Sequence, residues 1–308
     1  MMILTGLESL REANAASWTT FMDSVASGEP RVALSVVVPA YNEEERLPLK
    51  LRETLGYLSR RAAKGLTWEL VVVDDGSTDG TSEVVRRAAS ELEMSGGGGG
   101  MLRLVQQPAN GGKGSAVGAG VCSCSGDLIL MADADGATKI ADVERLEQRL
   151  AETALTRGDD DSSRSTRTRT GRGSGLRDAL GVVVGSRAHL QQDAVAERSL
   201  FRTVLMHGFH ALVFTVVGDK IKDTQCGFKL FTRRAALLLF RNMRLRRWCF
   251  DVEIISLALT MHIPVDEVSV NWMEVAGSKL RPLSALHMAW ELLLIFVGYR
   301  LVGTWKIL

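Results

Sequence analysis

The sequence of 308 residues has few cysteines and almost no net charge. Four cysteines are too few for the disulfide framework of a small secreted protein, and none has a zinc-ligand spacing, so we interpret them as reduced thiols. A formal charge of +1 argues against the basic surface that nucleic acids require, and we expect no nucleic-acid partner. With 46% hydrophobic residues the chain is not disordered as a whole. Its length suits one large α/β domain or two smaller ones.

The first 30 residues lack an apolar run long enough to span a bilayer, because charged residues interrupt them. We predict a loosely structured lead-in at 1–30, with no clear transmembrane helix. Residues 156–177 are rich in Arg, Ser, Thr, Gly and Asp and have no apolar periodicity. That composition predicts a disordered insertion within a single domain spanning 31–270, rather than a domain boundary.

The C-terminal residues differ from the rest, since 283–308 are nearly all apolar or aromatic. One interpretation is a helix buried in the core. The other is a helix lying in a membrane interface, with Trp290, Tyr299 and Trp305 at the depth of the lipid headgroups. We predict the second for the segment 271–308.

Apolar strands alternate with amphipathic helices from residue 34 onward. We predict strands at 34–38, 70–73, 102–105, 128–132 and 181–185, most of them followed by a helix. Consecutive apolar strands joined by helices are typical of a mostly parallel sheet that helices cover on both faces. Ligands of such sheets bind at the carboxyl ends of the strands.

The fourth of these strands ends in two aspartates, Asp133 and Asp135, separated by one small residue. Side chains alternate along an extended strand, so both carboxylates emerge on one side. Two oxygen ligands at a strand end suit Mg²⁺ or Mn²⁺, which usually takes its other ligands from water and substrate phosphates. A solvated turn is the alternative interpretation.

Three further stretches carry charge near predicted strand ends. The glycine-rich turn 110–114 contains Lys113, and its backbone amides could face an anion, although it matches no P-loop pattern. Residues 222–229 place an acid, an amide and two lysines around a glycine. A group of arginines follows, which either binds an anionic lipid or forms a solvated helix face: Arg233, Arg234, Arg241, Arg244, Arg246 and Arg247.

Three motifs occur in a fixed order: PAYNEE at 39–44, DDGSTDGT at 74–81 and DAD at 133–135. Together they resemble the nucleotide-sugar signature of family 2 glycosyltransferases, which have the Rossmann-like α/β GT-A fold. Four runs, at 133–139, 185–190, 223–231 and 247–253, are similar to the branch of that family that glucosylates dolichyl phosphate. The resemblance covers residue 34 to about 308, apart from the insertion and a glycine spacer.

The resemblance implies a role for each matching residue. Asp75 would read the uracil, Asp133 and Asp135 would hold Mg²⁺ or Mn²⁺, and Lys113 and Arg187 would neutralise phosphates. Asp223, Asp251 and Glu253 would flank the sugar and the acceptor and, with Arg187, form the catalytic set. The residues implied for the nucleotide-sugar pocket are Pro39, Ala40, Tyr41, Glu43, Asp74, Asp75, Lys113, Asp133, Ala134, Asp135 and Arg187.

The implied reaction transfers glucose from UDP-glucose to dolichyl phosphate with inversion, at the cytosolic face of the endoplasmic reticulum membrane. Its product would be the glucose donor for lipid-linked oligosaccharide assembly in protein N-glycosylation. The alternatives are a mannosyltransferase using GDP-mannose or another polyprenyl-phosphate glycosyltransferase. A noncatalytic nucleotide-sugar binder would show a broken aspartate pair, and a dinucleotide oxidoreductase would show a glycine fingerprint after the first strand; neither feature is present.

Overall fold

A computed structural model describes residues 32–155, 179–188, 213–273 and 282–301, together with 305 and 307. The lead-in at 1–30 and the insertion at 156–177 therefore lie outside the described residues. The elements, in chain order, are β1 (Leu34–Ala40), α1 (Leu47–Ala62), β2 (Trp68–Asp74), α2 (Thr81–Met94), β3 (Gly100–Gln106), α3 (Lys113–Ser123), β4 (Leu128–Ala132), α4 (Val143–Leu155), β5 (Val182–Ser186), β6 (Phe228–Thr232), α5 (Arg233–Asn242), α6 (Phe250–Thr260), β7 (Val265–Ser269) and α7 (Pro282–Ile295).

Seven strands form one sheet in the order β3-β2-β1-β4-β6-β5-β7. Strand β6 runs antiparallel to both of its neighbours, whereas the other pairs are parallel. The predicted mostly parallel α/β sheet is confirmed, and all five predicted strands are present. Strand β5 is parallel to β4, so its end delivers Arg187 to the edge that carries Asp133.

Two hydrophobic clusters cover the two faces of the sheet. Val37 belongs to one cluster and its neighbours Val36 and Val38 belong to the other, as the alternation of a strand requires. Helices α3, α5, α6 and α7 pack on the first face, and α1, α2 and α4 pack on the second. Because both faces are covered, β1 and β2 are apolar along most of their length.

The C-terminal helix α7 contributes to the core. Leu292 and Ile295 are each 1% exposed, and both belong to the cluster on the first face of the sheet. Trp305 is also buried, and its ring packs edge-on against Tyr299 with 5.1 Å between centroids. The expectation that Tyr299 and Trp305 lie at headgroup depth is therefore wrong, because both rings face the protein. Trp290 remains 48% exposed.

The helices of the described residues can be compared with the thickness of a bilayer. Within the described parts of the chain, none of the helices combines the length and the apolar character needed to cross a bilayer. Helix α7 continues as a π-helix over Phe296–Leu301.

Two of the six clustered arginines are internal. Arg233 donates to the carbonyls of Cys124 and Gly126, and its side chain is buried. Arg244 donates to Tyr299 Oη at 2.9 Å and lies over the rings of Tyr299 and Trp305. Neither lipid binding nor a solvated helix face, the two interpretations of this group, fits these two arginines, because their side chains are buried.

Candidate active site

The loop after β4 carries Asp133 and Asp135 to the carboxyl edge of the sheet. The backbone amide of Asp133 donates to the carbonyl of Gly227 at 3.0 Å, which ties this loop to the residue before β6. Asp135 Oδ1 accepts from the amide of Ala137 at 2.9 Å, and Gly136 supplies the positive φ (76°) of the turn between them. The main chain therefore fixes where both side chains begin.

Gly227 makes room for the carboxylate of Asp133. A Cβ at position 227 would lie 1.9 Å from Asp133 Oδ2 and 2.5 Å from Oδ1, closer than any side chain tolerates. The absence of a side chain at Gly227 is thus a steric condition for the observed position of Asp133.

Several cations surround the aspartate pair. Lys113 Nζ lies 2.7 Å from Asp133 Oδ1, and this attraction raises the pKa of Lys113 against the opposing effect of burial. Arg46 and Lys50 both interact electrostatically with Asp135, and Arg187 interacts with Asp133. These cations offset the charge of the two carboxylates and of the acids that pair with them.

The residues present fit a divalent metal of the hard type. Asp133 Oδ1 is buried and accepts no well-directed hydrogen bond from the described residues, and the ammonium of Lys113 is the cation that lies next to it. Within the described parts of the chain, no group of three or more His, Cys, Asp or Glu side chains could hold a metal by itself. Two carboxylates with an otherwise open site match Mg²⁺ or Mn²⁺, which take further oxygens from water and phosphates.

The loops after β1 and β2 are fastened to each other. The amide of Asn42 donates to Ser77 Oγ at 2.9 Å, and Asn42 Oδ1 accepts from the amide of Thr78 at 2.8 Å. Asn42 has a positive φ of 51°, a conformation that asparagine tolerates. These contacts hold in place the β1 end and loop that carry the predicted pocket residues Pro39, Ala40 and Tyr41. We call this joined pair of loops the wall of the site, and the side chain of Tyr41 on it is 38% exposed.

Glu43 and Asp74 support this wall rather than line an open pocket. Glu43 forms a bidentate pair with Arg46, with both N···O distances below 2.8 Å, and is 8% exposed. Asp74 accepts from the amide of Ser77 and from Ser82 Oγ at the start of α2. Ala134 is also buried. Direct contact of these three side chains with a nucleotide stays a prediction.

Asp75 anchors the start of the glycine-rich turn. Its two oxygens accept from the amides of Gly111 (2.8 Å) and Gly112 (2.9 Å), and burial raises the pKa of Asp75. Further along the chain, the amides of Gly114 and Ser115 donate to the carbonyls of Arg247 and Arg246. The amides of Gly111, Gly112 and Gly114 therefore already donate within the protein and are not available to an anion.

Arg187 and Asp223 form a tight bidentate pair. Arg187 Nε lies 2.7 Å from Asp223 Oδ2 and Nη2 lies 2.9 Å from Oδ1, while the Arg187 amide also donates to Oδ2. Burial alone would raise the pKa of Asp223, but these hydrogen bonds outweigh it and lower the pKa. Glu267 holds the loop by accepting from the amides of Lys222 and Asp223. The guanidinium also lies 5.7 Å from the ring centre of Trp272.

Asp251 is buried beneath the aspartate pair. Lys229 Nζ lies 2.5 Å from Asp251 Oδ1 and 2.6 Å from the carbonyl of Cys226, and both charged side chains are almost inaccessible. Asp251 also interacts electrostatically with Lys113 and Asp133. The prediction that Asp251 flanks the sugar and the acceptor stays a prediction, and its pairing with Lys229 was not foreseen.

Glu253 does not reach the cleft. It is completely buried, and its carboxylate accepts from the amides of Arg244 and Leu245 and from Tyr299 Oη. Burial raises the pKa of Glu253 to about 6. The expectation that Glu253 flanks the sugar is corrected: the carboxylate joins α6 to the segment that precedes it and to the C-terminal helix.

Sequence reasoning missed two further residues at the site. Lys50 is 2% exposed and donates to the carbonyl of Thr138 at 3.0 Å, and burial lowers its pKa. A lysine on the apolar stripe of α1, three residues after Leu47, was a usable signal. Gly227 was visible only as one glycine in a charged run, and its steric role needed the structure.

The fold and the paired aspartates at the carboxyl edge define a glycosyltransferase of the GT-A type. Residues 35–237 match the protein-family model described as Glycosyl transferase family 2. Among solved structures, glucosyl-3-phosphoglycerate synthase of M. tuberculosis has the same fold, with a TM-score of 0.50, 18% identity and coverage of 89% of this chain and 82% of that one.

Relatives with higher sequence identity define the family within this class of glycosyltransferase. A protein of Drosophila melanogaster is 44% identical over 281 residues (90% of this chain, 78% of that one), and one of Homo sapiens is 43% identical over 287 residues (90% and 79%). Both are named dolichyl-phosphate beta-glucosyltransferase. The chain belongs to the dolichyl-phosphate β-glucosyltransferase family.

Proposed function

We propose that the protein transfers glucose from UDP-glucose to dolichyl phosphate with inversion, giving dolichyl β-D-glucosyl phosphate and UDP. The observation that carries the proposal is the aspartate pair at the strand edge, with Asp133 Oδ1 free of directed hydrogen bonds and surrounded by cations. The names of the relatives support the acceptor and the sugar. In the reaction, a phosphate oxygen of the acceptor bonds to the anomeric carbon as the bond from that carbon to UDP breaks.

The proposed donor site lies between the β1 and β2 loops and the aspartate pair. The fastened loops around Tyr41 and Asp75 would receive the uridine, and Asp133 and Asp135 would hold Mg²⁺ or Mn²⁺. Such an ion stabilises the negative charge that develops on the leaving diphosphate. Lys113, at the start of α3, would add its ammonium charge on the same side.

The proposed acceptor site centres on Arg187. Asp223 holds the guanidinium in one orientation, so Arg187 can meet a phosphate without first losing rotamer entropy. A phosphate monoester has a second pKa of about 6, so the acceptor is already an anion at neutral pH and needs no strong base. Asp223 therefore acts by orienting Arg187, since both of its oxygens are engaged.

The proposed location is the cytosolic face of the endoplasmic reticulum membrane, because the polyprenyl chain of the acceptor must remain in lipid. Trp290 (48% exposed) and Leu293 (42% exposed) lie on the outer side of α7 while Leu292 and Ile295 anchor its inner side. An aromatic and an aliphatic side chain presented together suit a membrane interface. Replacing both outer residues by serine should reduce flotation with liposomes, whereas unchanged flotation would rule out this contact.

The decisive experiment offers the purified protein three donors with a short polyprenyl phosphate: UDP-glucose, UDP-galactose and GDP-mannose. We expect a lipid-linked product only from UDP-glucose, and only without EDTA. Product from GDP-mannose alone would overturn the donor assignment, and full activity in EDTA would overturn the metal assignment.

A further inference from the structure

One cation at the site has an unusual set of partners. Lys113 Nζ lies 2.7 Å from Asp133 Oδ1, an oxygen that accepts no well-directed hydrogen bond from the described residues. We propose that Lys113 is a built-in counter-cation that neutralises Asp133 in the nucleotide-free protein and must leave this carboxylate before a divalent metal can bind there. This inference rests on the proposed function, and it assigns to Lys113 a role in coupling metal binding to nucleotide binding.

The neighbouring cations are committed elsewhere. Arg46 pairs with Glu43, Lys50 donates to the carbonyl of Thr138, and Arg187 is held by Asp223. Each of these side chains has a strong partner outside the aspartate pair. The closest ion pair that the structure gives Lys113 is with the proposed metal ligand itself.

The main chain around Lys113 is fixed, so only its side chain is free to change partners. The amides of Gly114 and Ser115 donate to the carbonyls of Arg247 and Arg246, which anchors the start of α3. The side chain of Lys113 is 18% exposed, so it is not fully enclosed by the protein.

Asp251 does not compete strongly for the same ammonium. It attracts Lys113 electrostatically, but Lys229 already lies 2.5 Å from its Oδ1 and compensates its charge. Lys229 is thus the positioning residue of the arrangement: by neutralising Asp251 it leaves Lys113 bound to Asp133 by a single exchangeable contact.

The exchange has a thermodynamic consequence. A metal ion that binds alone must displace an ammonium that has no new partner, so its affinity is low. When a nucleoside diphosphate is bound, its phosphate oxygens can pair with the displaced ammonium. The free energy lost on breaking the Lys113–Asp133 contact is then recovered. Metal and nucleotide therefore strengthen each other's binding, and the coupling is reciprocal.

The test measures Mn²⁺ binding by electron paramagnetic resonance, without and with saturating UDP. For the wild-type protein we expect weak Mn²⁺ binding alone and a strong increase with UDP. Lys113→Met should bind Mn²⁺ alone about tenfold more tightly or better, because a positive charge next to the ligand is gone. UDP should then strengthen Mn²⁺ binding by a smaller factor than in the wild-type protein, because its phosphates still coordinate the metal but no longer compensate a displaced ammonium. Lys113→Arg, which keeps the charge, should behave like the wild type.

Lys139→Met is the matched control, since Lys139 is an exposed lysine on the loop that follows the aspartate pair. It should leave Mn²⁺ binding unchanged. Equal tightening in Lys139→Met would attribute the effect to net charge and overturn the proposal, as would unchanged or weaker Mn²⁺ binding by Lys113→Met while the wild type binds Mn²⁺ with UDP. Failure of every variant to bind Mn²⁺ even with UDP would instead refute the metal site of the proposed function.

Discussion

Replacing Gly227 by alanine tests the geometry of the site without touching a charged residue. The new Cβ would lie 1.9 Å from Asp133 Oδ2, whereas Cβ contacts shorter than 3.0 Å essentially do not occur, so the two atoms must separate by about 1 Å more. The clashing atoms belong to the end of a side chain, so the carboxylate rotates away and the backbone stays. A displacement of about 1 Å at a reacting centre can cost about 10²-fold in rate.

We therefore expect Gly227→Ala to lose about 10²-fold in kcat/KM for glucosyl transfer and to bind Mn²⁺ more weakly in the presence of UDP. The free energy of unfolding should fall by no more than about 1–3 kcal/mol, the usual cost of an extra methyl group in a packed site. Steady-state assays with a short polyprenyl phosphate, and thermal unfolding followed by circular dichroism, measure the two effects separately.

Gly185→Ala is the control for crowding alone. Its Cβ would meet the carbonyl of Phe228 and Val270 Cγ1 at 3.0 Å and Cys226 Sγ at 3.2 Å, without approaching a carboxylate. It should lose a similar amount of stability and keep most of its Mn²⁺ affinity. Wild-type activity and metal binding in Gly227→Ala would refute the steric role of Gly227.

Three other changes test separate parts of the site. Asp135→Ala should abolish most turnover and leave the thermal midpoint nearly unchanged, because this side chain is outside the hydrophobic core; near-normal turnover would contradict its assignment as a metal ligand. Asp223→Asn should lower kcat with little change in the pH profile between about 6.5 and 8, since the acceptor's pKa of about 6 lies below this range; a new ionisation within the range would indicate a general base. Glu253 has a folded pKa of about 6 against 4.5 for the free side chain, so the native state holds the proton more tightly and its free energy of unfolding should fall by about 2 kcal/mol as the pH rises from 4.5 to 7. Glu253→Gln should remove that part of the pH dependence in urea unfolding, and an unchanged slope would exclude Glu253 as its source.

The parts of the fold that follow from local pattern could be predicted from the sequence. The buried runs of β1, β2 and β4 are apolar because both faces of the sheet are covered, and that pattern is visible without coordinates. Strand β6 was not predicted, because Phe228–Thr232 combines apolar residues with a buried lysine and follows a run of polar ones. Lys229 can occupy a central strand only because Asp251, on α6, compensates its charge.

The site could be predicted as a set of residues but not as a set of contacts. The family resemblance of three sequence runs identified Asp133, Arg187 and Asp223 as members, and the structure brings all three to one edge of the sheet. Glu253 shared its helix with Asp251, and two positions on a helix are enough to turn a side chain toward the core instead of the cleft. The partners that decide its role, Arg244 and Tyr299, are distant in sequence and only the fold brings them together.

The position of β6 between β4 and β5 also sets the order in which the protein can be completed during synthesis. Strand β4 emerges from the ribosome about 100 residues before the strand that pairs with its free edge, and until then its backbone is exposed to other chains. The hydrogen bond from the amide of Asp133 to the carbonyl of Gly227 likewise cannot form until residue 227 has been synthesised. A nascent chain that stops before residue 227 therefore contains both aspartates of the signature but not the glycine that contacts Asp133, so this part of the site is completed late in synthesis.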